Sequence, residues 1–149
     1  MNRTIKFRGK RIDNGEWVYG DLLQPIEICD IYEISDCESI DGTRYEVIPE
    51  TIGQFTGLYD NTKKEIYEND IVTGIEYPFI DEGKQNYIGI VIFYNDVAQF
   101  GYEYKCIRKD KRGISNGINN EFEANEDLIC ETLEVMGNIT DNSELLGGE

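Results

Sequence analysis

The chain has 149 residues, of which 40% are hydrophobic and 11% aromatic. That length suits one domain over residues 1–149, and the apolar content is too high for a disordered acidic chain. Thirty acidic side chains against fourteen basic ones give a net charge of −16, and there is no histidine. A field of that sign repels nucleic-acid phosphate, so we expect no direct nucleic-acid binding. General acid–base catalysis would depend on groups other than imidazole.

Basic residues concentrate in two clusters. The first contains Arg3, Lys6, Arg8, Lys10 and Arg11, and the second contains Arg108, Lys109, Lys111 and Arg112. Pairing with neighbouring acids, or exposure to solvent, accounts for such clusters more often than a phosphate ligand does. We therefore expect these cations to be paired or solvated.

The N-terminus lacks the apolar segment of a signal peptide, and no apolar run approaches the length of a membrane span. The four cysteines are Cys29, Cys37, Cys106 and Cys130. They are widely spaced, form no C-x-x-C pair and have no histidine to complete a zinc site. We expect a soluble cytoplasmic protein that has no membrane contact and whose thiols are reduced and mostly buried.

In chain order, strand patterns come first. "TIKFRG" alternates Ile5 and Phe7 against Lys6 and Arg8, and "EWVYGDLL" follows across Asp13-Asn14-Gly15, which predicts a hairpin. "ICDIYEIS" and "TRYEVI" form the next pair of strands. "NYIGIVIFYN" and "AQFGYEYKCI" meet at Asn95-Asp96 and are the most hydrophobic pair, so we expect them to form the core.

"TLEVMGNI" predicts a last strand, and single helical turns are expected at "PETIG" and at "NEDLICE", the latter with Asn125 as its cap. Two polar connections, residues 77–86 and 108–127, interrupt the strands. The longer connection is typical of a functional, mobile or oligomerisation segment. Short strands and frequent turns predict an all-β fold, a small barrel or sandwich of short antiparallel strands with long loops and only short helical turns.

The acidic stretch "GLYDNTKKEIYENDIV", residues 57–72, contains the strongest candidates for a site. An EF-hand loop counted from Asp60 would place Thr62 and Lys64 where oxygen ligands are needed, so that calcium-binding pattern fails. The chain has no P-loop, no G-x-S-x-G elbow and no dinucleotide-binding glycine motif.

The candidate carboxylates within that stretch are Glu65, Glu68 and Asp70. Strand alternation places Glu65 and Glu68 on opposite faces, and Asp70 is placed to accept backbone N–H groups of a turn. We therefore predict no catalytic, cofactor-binding or metal-ligating residue and no cofactor. A Mg²⁺ site built from converging carboxylates is the alternative.

"FTGLYDNTKKEIYENDIV" resembles the signature of the YopX family, small proteins of phages and prophages. The matching residues are Thr56, Gly57, Leu58, Lys64, Glu65, Ile66, Tyr67, Glu68, Asp70, Ile71 and Val72. The resemblance extends to "IKFRGKRIDNGEWVYGDLL", "YEVIPETIGQ" and "EVMGNITDNSELL". Asn69 stands where the family usually has Gly, and Asn tolerates a left-handed backbone, so the turn depends on backbone geometry. The resemblance implies an all-β fold related to small SH3-like barrels, expression in the cytoplasm of a bacterial host, and no established activity.

Three functions are open on this sequence. We favour a phage or prophage accessory protein that is not an enzyme and that associates with a protein partner or with itself as a homo-oligomer. The second possibility is an acidic decoy that occupies a host DNA-binding protein by imitating phosphates. The third is a metal-dependent hydrolase that uses Glu65, Glu68 and Asp70.

Overall fold

The structure is a computed structural model that describes residues 3–76, 85–106 and 116–146. The strands of the described residues are β1 (Phe7–Lys10), β2 (Trp17–Leu23), β3 (Tyr32–Asp36), β4 (Arg44–Val47), β5 (Gly53–Tyr59), β6 (Glu65–Tyr67), β7 (Asp70–Glu76), β8 (Gln85–Tyr94), β9 (Gln99–Cys106), β10 (Asn116–Glu121) and β11 (Leu133–Asn138). Two 3₁₀ turns, Pro49–Thr51 and Ser143–Leu146, complete the regular structure. The described residues contain no helix with the length and apolar character that a membrane crossing requires.

Backbone hydrogen bonds join these strands into two antiparallel sheets. The first has the order β4-β3-β2-β1-β5-β6 and the second the order β10-β9-β8-β7-β11. The all-β antiparallel fold is therefore confirmed. The ladders between these strands do not close either sheet into a barrel within the described residues, so of the predicted barrel or sandwich the barrel is wrong. The chain divides into two compact units, Met1–Gly57 and Leu58–Glu149, and the division falls inside β5; one domain over residues 1–149 stays a prediction.

The first unit is built on the predicted hairpin of β1 and β2. Gly15 has a φ of 72° in the tight turn, a conformation that favours glycine. β4 ends the sheet, but Arg11 forms an antiparallel bridge with Val47, and the Ile12 amide donates to the Glu46 carbonyl oxygen at 3.0 Å. The chain just after β1 therefore covers part of the outer edge of β4, which limits pairing there with other strands.

Burial differs from the sequence prediction in β1 and in the core. Arg8 is buried and its guanidinium lies 4.9 Å from the centre of the Trp17 ring, whereas Ile5 is exposed. The hydrophobic residues form two clusters, one in each unit. The first contains Val18, Ile34 and Val47, and the second contains Ile66, Val72, Val91, Cys130, Leu133 and Val135. β8 contributes Val91 to the second cluster and Tyr102 of β9 packs against it, so the predicted core pair takes part in the core, but β6, β7 and β11 contribute most of the cluster.

Two predicted segments also differ. "NEDLICE" is a turn instead of a helix: the Asn125 side chain accepts the Asp127 and Ile129 amides, and Leu128 has a left-handed φ of 64°. That φ is incompatible with a continuing right-handed helix. The predicted connection over 108–127 contains strand β10, which pairs with β9. Residues 107–115 of that connection, and residues 77–84 of the shorter one, lie outside the described residues.

Candidate functional site

The charged stretch between β5 and β7 forms a tight turn around the carboxylate of Asp60, a side chain with no exposed surface. One oxygen, Oδ1, accepts the Thr62 amide at 2.8 Å, the Thr62 hydroxyl at 2.7 Å and the Lys64 amide at 2.9 Å. The other, Oδ2, accepts the Val135 amide at 2.9 Å. Carboxylates that accept several N–H groups are stabilised in their charged form. Asp60 therefore holds the turn from inside and reaches a residue 75 positions later in the chain.

This turn covers the outer edge of the second sheet. Val135 lies opposite Val72 in the ladder between β11 and β7, yet its amide donates to Asp60. Next to it, the Asn61 amide donates to the Leu133 carbonyl oxygen at 2.8 Å. An uncovered edge strand would leave these backbone groups available to another chain. The Asp60 turn thus satisfies one amide and one carbonyl group of β11, which limits strand addition at this part of the edge.

A second turn, between β6 and β7, is organised by Asp70, which is also buried. Its Oδ2 accepts the Tyr67 amide at 2.7 Å, as the sequence predicted for this residue. Asn69 has a φ of 71°, so the expected left-handed position is confirmed. Asn69 also donates its amide to the Val91 carbonyl oxygen and accepts the Ile139 amide. Two turns built on carboxylate and backbone contacts deliver Ile71 and Val72 into the hydrophobic core.

The three carboxylates proposed for a metal-dependent hydrolase have different surroundings. Asp70 bonds to the backbone, and Glu65 accepts the Tyr67 hydroxyl through Oε2 at 2.6 Å. Glu68 is half-buried at the turn. Among residues 3–76, 85–106 and 116–146, no group of three or more cysteines, aspartates or glutamates is arranged to hold a metal ion. The opposite directions of Glu65 and Glu68 stay a prediction.

The basic cluster at the N-terminus is engaged within the first unit. The Arg11 guanidinium forms an ion pair with Asp13, with 2.6 Å between Nη2 and Oδ2, and lies 3.8 Å from the centre of the Tyr45 ring. Lys6 lies 5.5 Å from the centre of the Phe55 ring. For Arg11 the expected pairing with an acid is confirmed. The second basic cluster, Arg108–Arg112, lies outside the described residues.

Asp60 gives the stability of the protein a defined pH dependence. Burial favours the neutral carboxyl, but the hydrogen bonds from Val135, Thr62 and Lys64 outweigh it and hold the pKa of Asp60 below its ordinary value. A group whose pKa is lower in the folded state stabilises the fold above its unfolded pKa, about 3.9 for Asp, and ceases to do so as the pH falls through the folded pKa.

We therefore expect the difference in unfolding free energy between the parent and Asp60→Asn to be constant from about pH 5 to 8 and to narrow below about pH 4. Urea unfolding at a series of pH values measures it. A difference that widens in acid would contradict the assignment of Asp60 as a charged acceptor.

The cysteines differ in exposure, which only partly agrees with the expectation of buried thiols. Cys130 is buried, Cys29 is half-buried and Cys37 is exposed, and all three are free; the side chain of Cys106 lies outside the described residues. Burial raises the pKa of Cys130 to about 11, and the negative charge of Asp60 adds to the effect. The reactive species of cysteine is the thiolate. Cys130 is therefore protected from modification because reagents cannot reach it and because its thiol stays protonated at neutral pH.

We expect iodoacetamide at neutral pH to alkylate Cys37 in the folded protein and to leave Cys130 unmodified. Peptide mass spectrometry after timed quenching measures both sites in one sample. The same reaction in concentrated urea is the control, because both thiols become accessible there. Equal rates at Cys37 and Cys130 in the folded protein would contradict the buried position of Cys130.

The sequence predicted that Asp70 accepts the backbone of a turn, but it predicted no such role for Asp60. Asp60 entered only as the first position of an EF-hand loop that the sequence does not fit. The available signal was local. Asp60, Asn61 and Thr62 have the spacing at which a side-chain oxygen accepts the amide two residues later, a common turn arrangement. Nothing local indicates the bond to Val135, because that contact depends on the position of β11.

These features define an all-β protein of two open antiparallel sheets, in which buried carboxylates fix the turns of a charged central signature. The family model described as YopX protein matches residues 6–147, nearly the whole chain. The chain belongs to the YopX family. No curated protein matches the sequence.

Among solved structures, the chain is similar to one titled "Crystal structure of protein EF1440 from Enterococcus faecalis". The two share 20% sequence identity with a TM-score of 0.50, and the match covers 97% of this chain and 99% of that one. At this identity the likeness shows a shared fold alone.

Proposed function

We propose that the protein is a non-catalytic association module, an accessory protein of phage or prophage origin that acts in the bacterial cytoplasm by binding another protein. The observation that carries this proposal is the exposure of large apolar side chains in the first unit. Ile26 is 76% exposed and Ile28 is 94% exposed. Several exposed isoleucines near one another are typical of a surface that a partner covers.

The signature turns support the non-catalytic part of this proposal. Asp60 and Asp70 are both buried, and each accepts at least one backbone N–H group. Their hydrogen bonds explain their presence without a reaction. The metal-dependent hydrolase therefore has no observation in its favour in the described residues, and the acidic decoy rests on charge alone.

Affinity capture from a bacterial extract, followed by reconstitution from purified components, tests the proposed function. We expect a captured protein to rebind the purified chain with a fixed stoichiometry in sedimentation and calorimetry. The proposal fails if no purified candidate rebinds and the chain stays a monomer at high concentration. Heat release with Mg²⁺ or Mn²⁺, together with hydrolysis of a phosphate ester, would favour the hydrolase instead.

A further inference from the structure

One end of the first sheet presents isoleucines to solvent. Glu33 and Glu46 are opposite each other in the ladder of β3 and β4. Their side chains lie on the face opposite to that of Ile34 and Val47, which are buried. Glu33 and Glu46 therefore mark the outer face of these two strands.

Exposed isoleucines continue this outer face. Ile31 precedes β3 and Ile48 follows β4, and both are exposed, at the end of the ladder where Tyr32 pairs with Val47. By strand alternation, Ile31 shares the face of Glu33 and Ile48 that of Glu46.

The same end of the sheet receives two further parts of the chain. Ile12 lies beside the strand edge, since its amide donates to the Glu46 carbonyl oxygen, and its side chain is exposed. The loop between β2 and β3, which enters β3 at this end of the sheet, contains Ile26 and Ile28, and both are exposed. We call these residues the isoleucine face: Ile12, Ile26, Ile28, Ile31 and Ile48.

Acidic side chains outnumber basic ones around the isoleucine face, where Arg44 is exposed on the outer face of β4, two residues before Glu46. Glu27 and Asp30 are exposed in the loop between its isoleucines, and Glu33 and Glu46 lie on the strands. Apolar side chains among mainly negative charges are complementary to a partner with an apolar centre and a rim of mainly positive charge. The partner that fits this face has apolar side chains surrounded by Lys and Arg.

A second copy of the chain does not fit the same face. In a symmetric dimer the same patch meets itself, which would bring the acidic side chains Glu27, Asp30, Glu33 and Glu46 of one copy close to those of the other. Each copy also carries a net charge of −16. Like charges placed against each other across an interface oppose association.

We propose that the isoleucine face is the site at which this protein binds an apolar, basic-rimmed surface of another protein. This inference rests on the proposed function of association and assigns it a place and a class of partner. The occupant is defined by chemistry: apolar side chains that bury the isoleucines, and cations that approach the four surrounding carboxylates.

A synthetic amphipathic peptide of leucine and lysine, labelled with a fluorophore, serves as the probe, with a leucine and glutamate peptide and a serine and lysine peptide as controls. We expect fluorescence anisotropy to show binding of the leucine and lysine peptide only. Replacing Ile26 and Ile28 together by Ser should weaken binding about a hundredfold, at about tenfold for each buried isoleucine. The unfolding temperature should not change, because both side chains are exposed.

Ile40→Ser is the matched control. Ile40 is fully exposed, but it lies in the β3–β4 connection, at the other end of β3 from the isoleucine face. We expect this variant to bind the peptide as the parent does. Replacing Glu27 by Gln and Asp30 by Asn should weaken binding a few fold and reduce its dependence on salt.

Three results would overturn the inference. The first is equal binding by the parent and the Ile26→Ser, Ile28→Ser variant, which would show attraction by net charge alone. The second is an equal loss in Ile40→Ser. The third is a parent that sediments as a dimer and becomes a monomer on replacement of Ile26 and Ile28, since a second copy would then cover the face. Any of these leaves the capture and reconstitution test of the proposed function standing as a separate result.

Discussion

Replacing Asp60 by Asn should lower the free energy of unfolding by about 3 kcal/mol, because a buried charged acceptor is lost and a buried donor is left unsatisfied. In the parent, both carboxylate oxygens accept hydrogen bonds, one from Val135 and the other from Thr62 and Lys64. Asparagine keeps the shape but puts an NH₂ group against one of these sets of donors. Thermal unfolding followed by circular dichroism should show a midpoint lower by about 10 °C.

The matched control for Asp60→Asn is Asp127→Asn, the same chemical change at an exposed position of the same unit. Its effect should stay within about 0.5 kcal/mol, as for most surface substitutions. Equal unfolding midpoints for the two variants would show that the Asp60 carboxylate does not hold the turn.

Replacing Gly20 by Ala should destabilise the protein by more than about 4 kcal/mol, the range of severe steric and backbone defects. Gly20 lies opposite Asp36 in the ladder between β2 and β3. A Cβ atom at this position would come within 1.8 Å of the Ser35 carbonyl oxygen, which is part of the backbone and cannot rotate away. The two strands would have to separate, and with them the hydrogen bonds between β2 and β3.

Gly15→Ala provides the comparison for Gly20→Ala. Gly15 has a φ of 72°, but a Cβ there meets nothing within 4 Å, so only the backbone conformation is strained. That strain costs about 1 to 2 kcal/mol. Urea unfolding of both variants measures the difference. If Gly20→Ala is no less stable than Gly15→Ala, the close approach of β2 and β3 at Gly20 is wrong.

Many of the strand positions along the chain could be predicted because they depend on local signals. The Asp13-Asn14-Gly15 turn specified the first hairpin, and alternation located β11. Whether a sheet closes into a barrel could not be predicted, since closure depends on pairing between distant strand edges, which period-2 patterns do not encode. The core was located only in part, for a related reason. Apolar content in β8 counts both faces of the strand, and Phe93, for example, is exposed.

The site was predictable to the extent that it is local. The predicted features of Asp70 and Asn69, a carboxylate that accepts a turn amide and a left-handed backbone, are local to the turn between β6 and β7, and both were expected from residue type alone. Asp60 joins Val135 across the unit, and no sequence pattern indicates that pairing. Arg8 was assigned to an outer face by alternation, but the Trp17 ring lies across its guanidinium, and the aliphatic part of a long cationic side chain can be buried in this way.

Hydrogen exchange at the Val135 amide tests most directly that the family signature is a structural element that covers the edge of β11. We expect this amide to exchange as slowly in the parent as the ladder amides of β7, although it faces away from that strand, because Asp60 accepts it. In Asp60→Asn, exchange at Val135 should become much faster than at those ladder amides. An amide that exchanges quickly in the parent, or at the same rate in both proteins, would contradict this role of the signature.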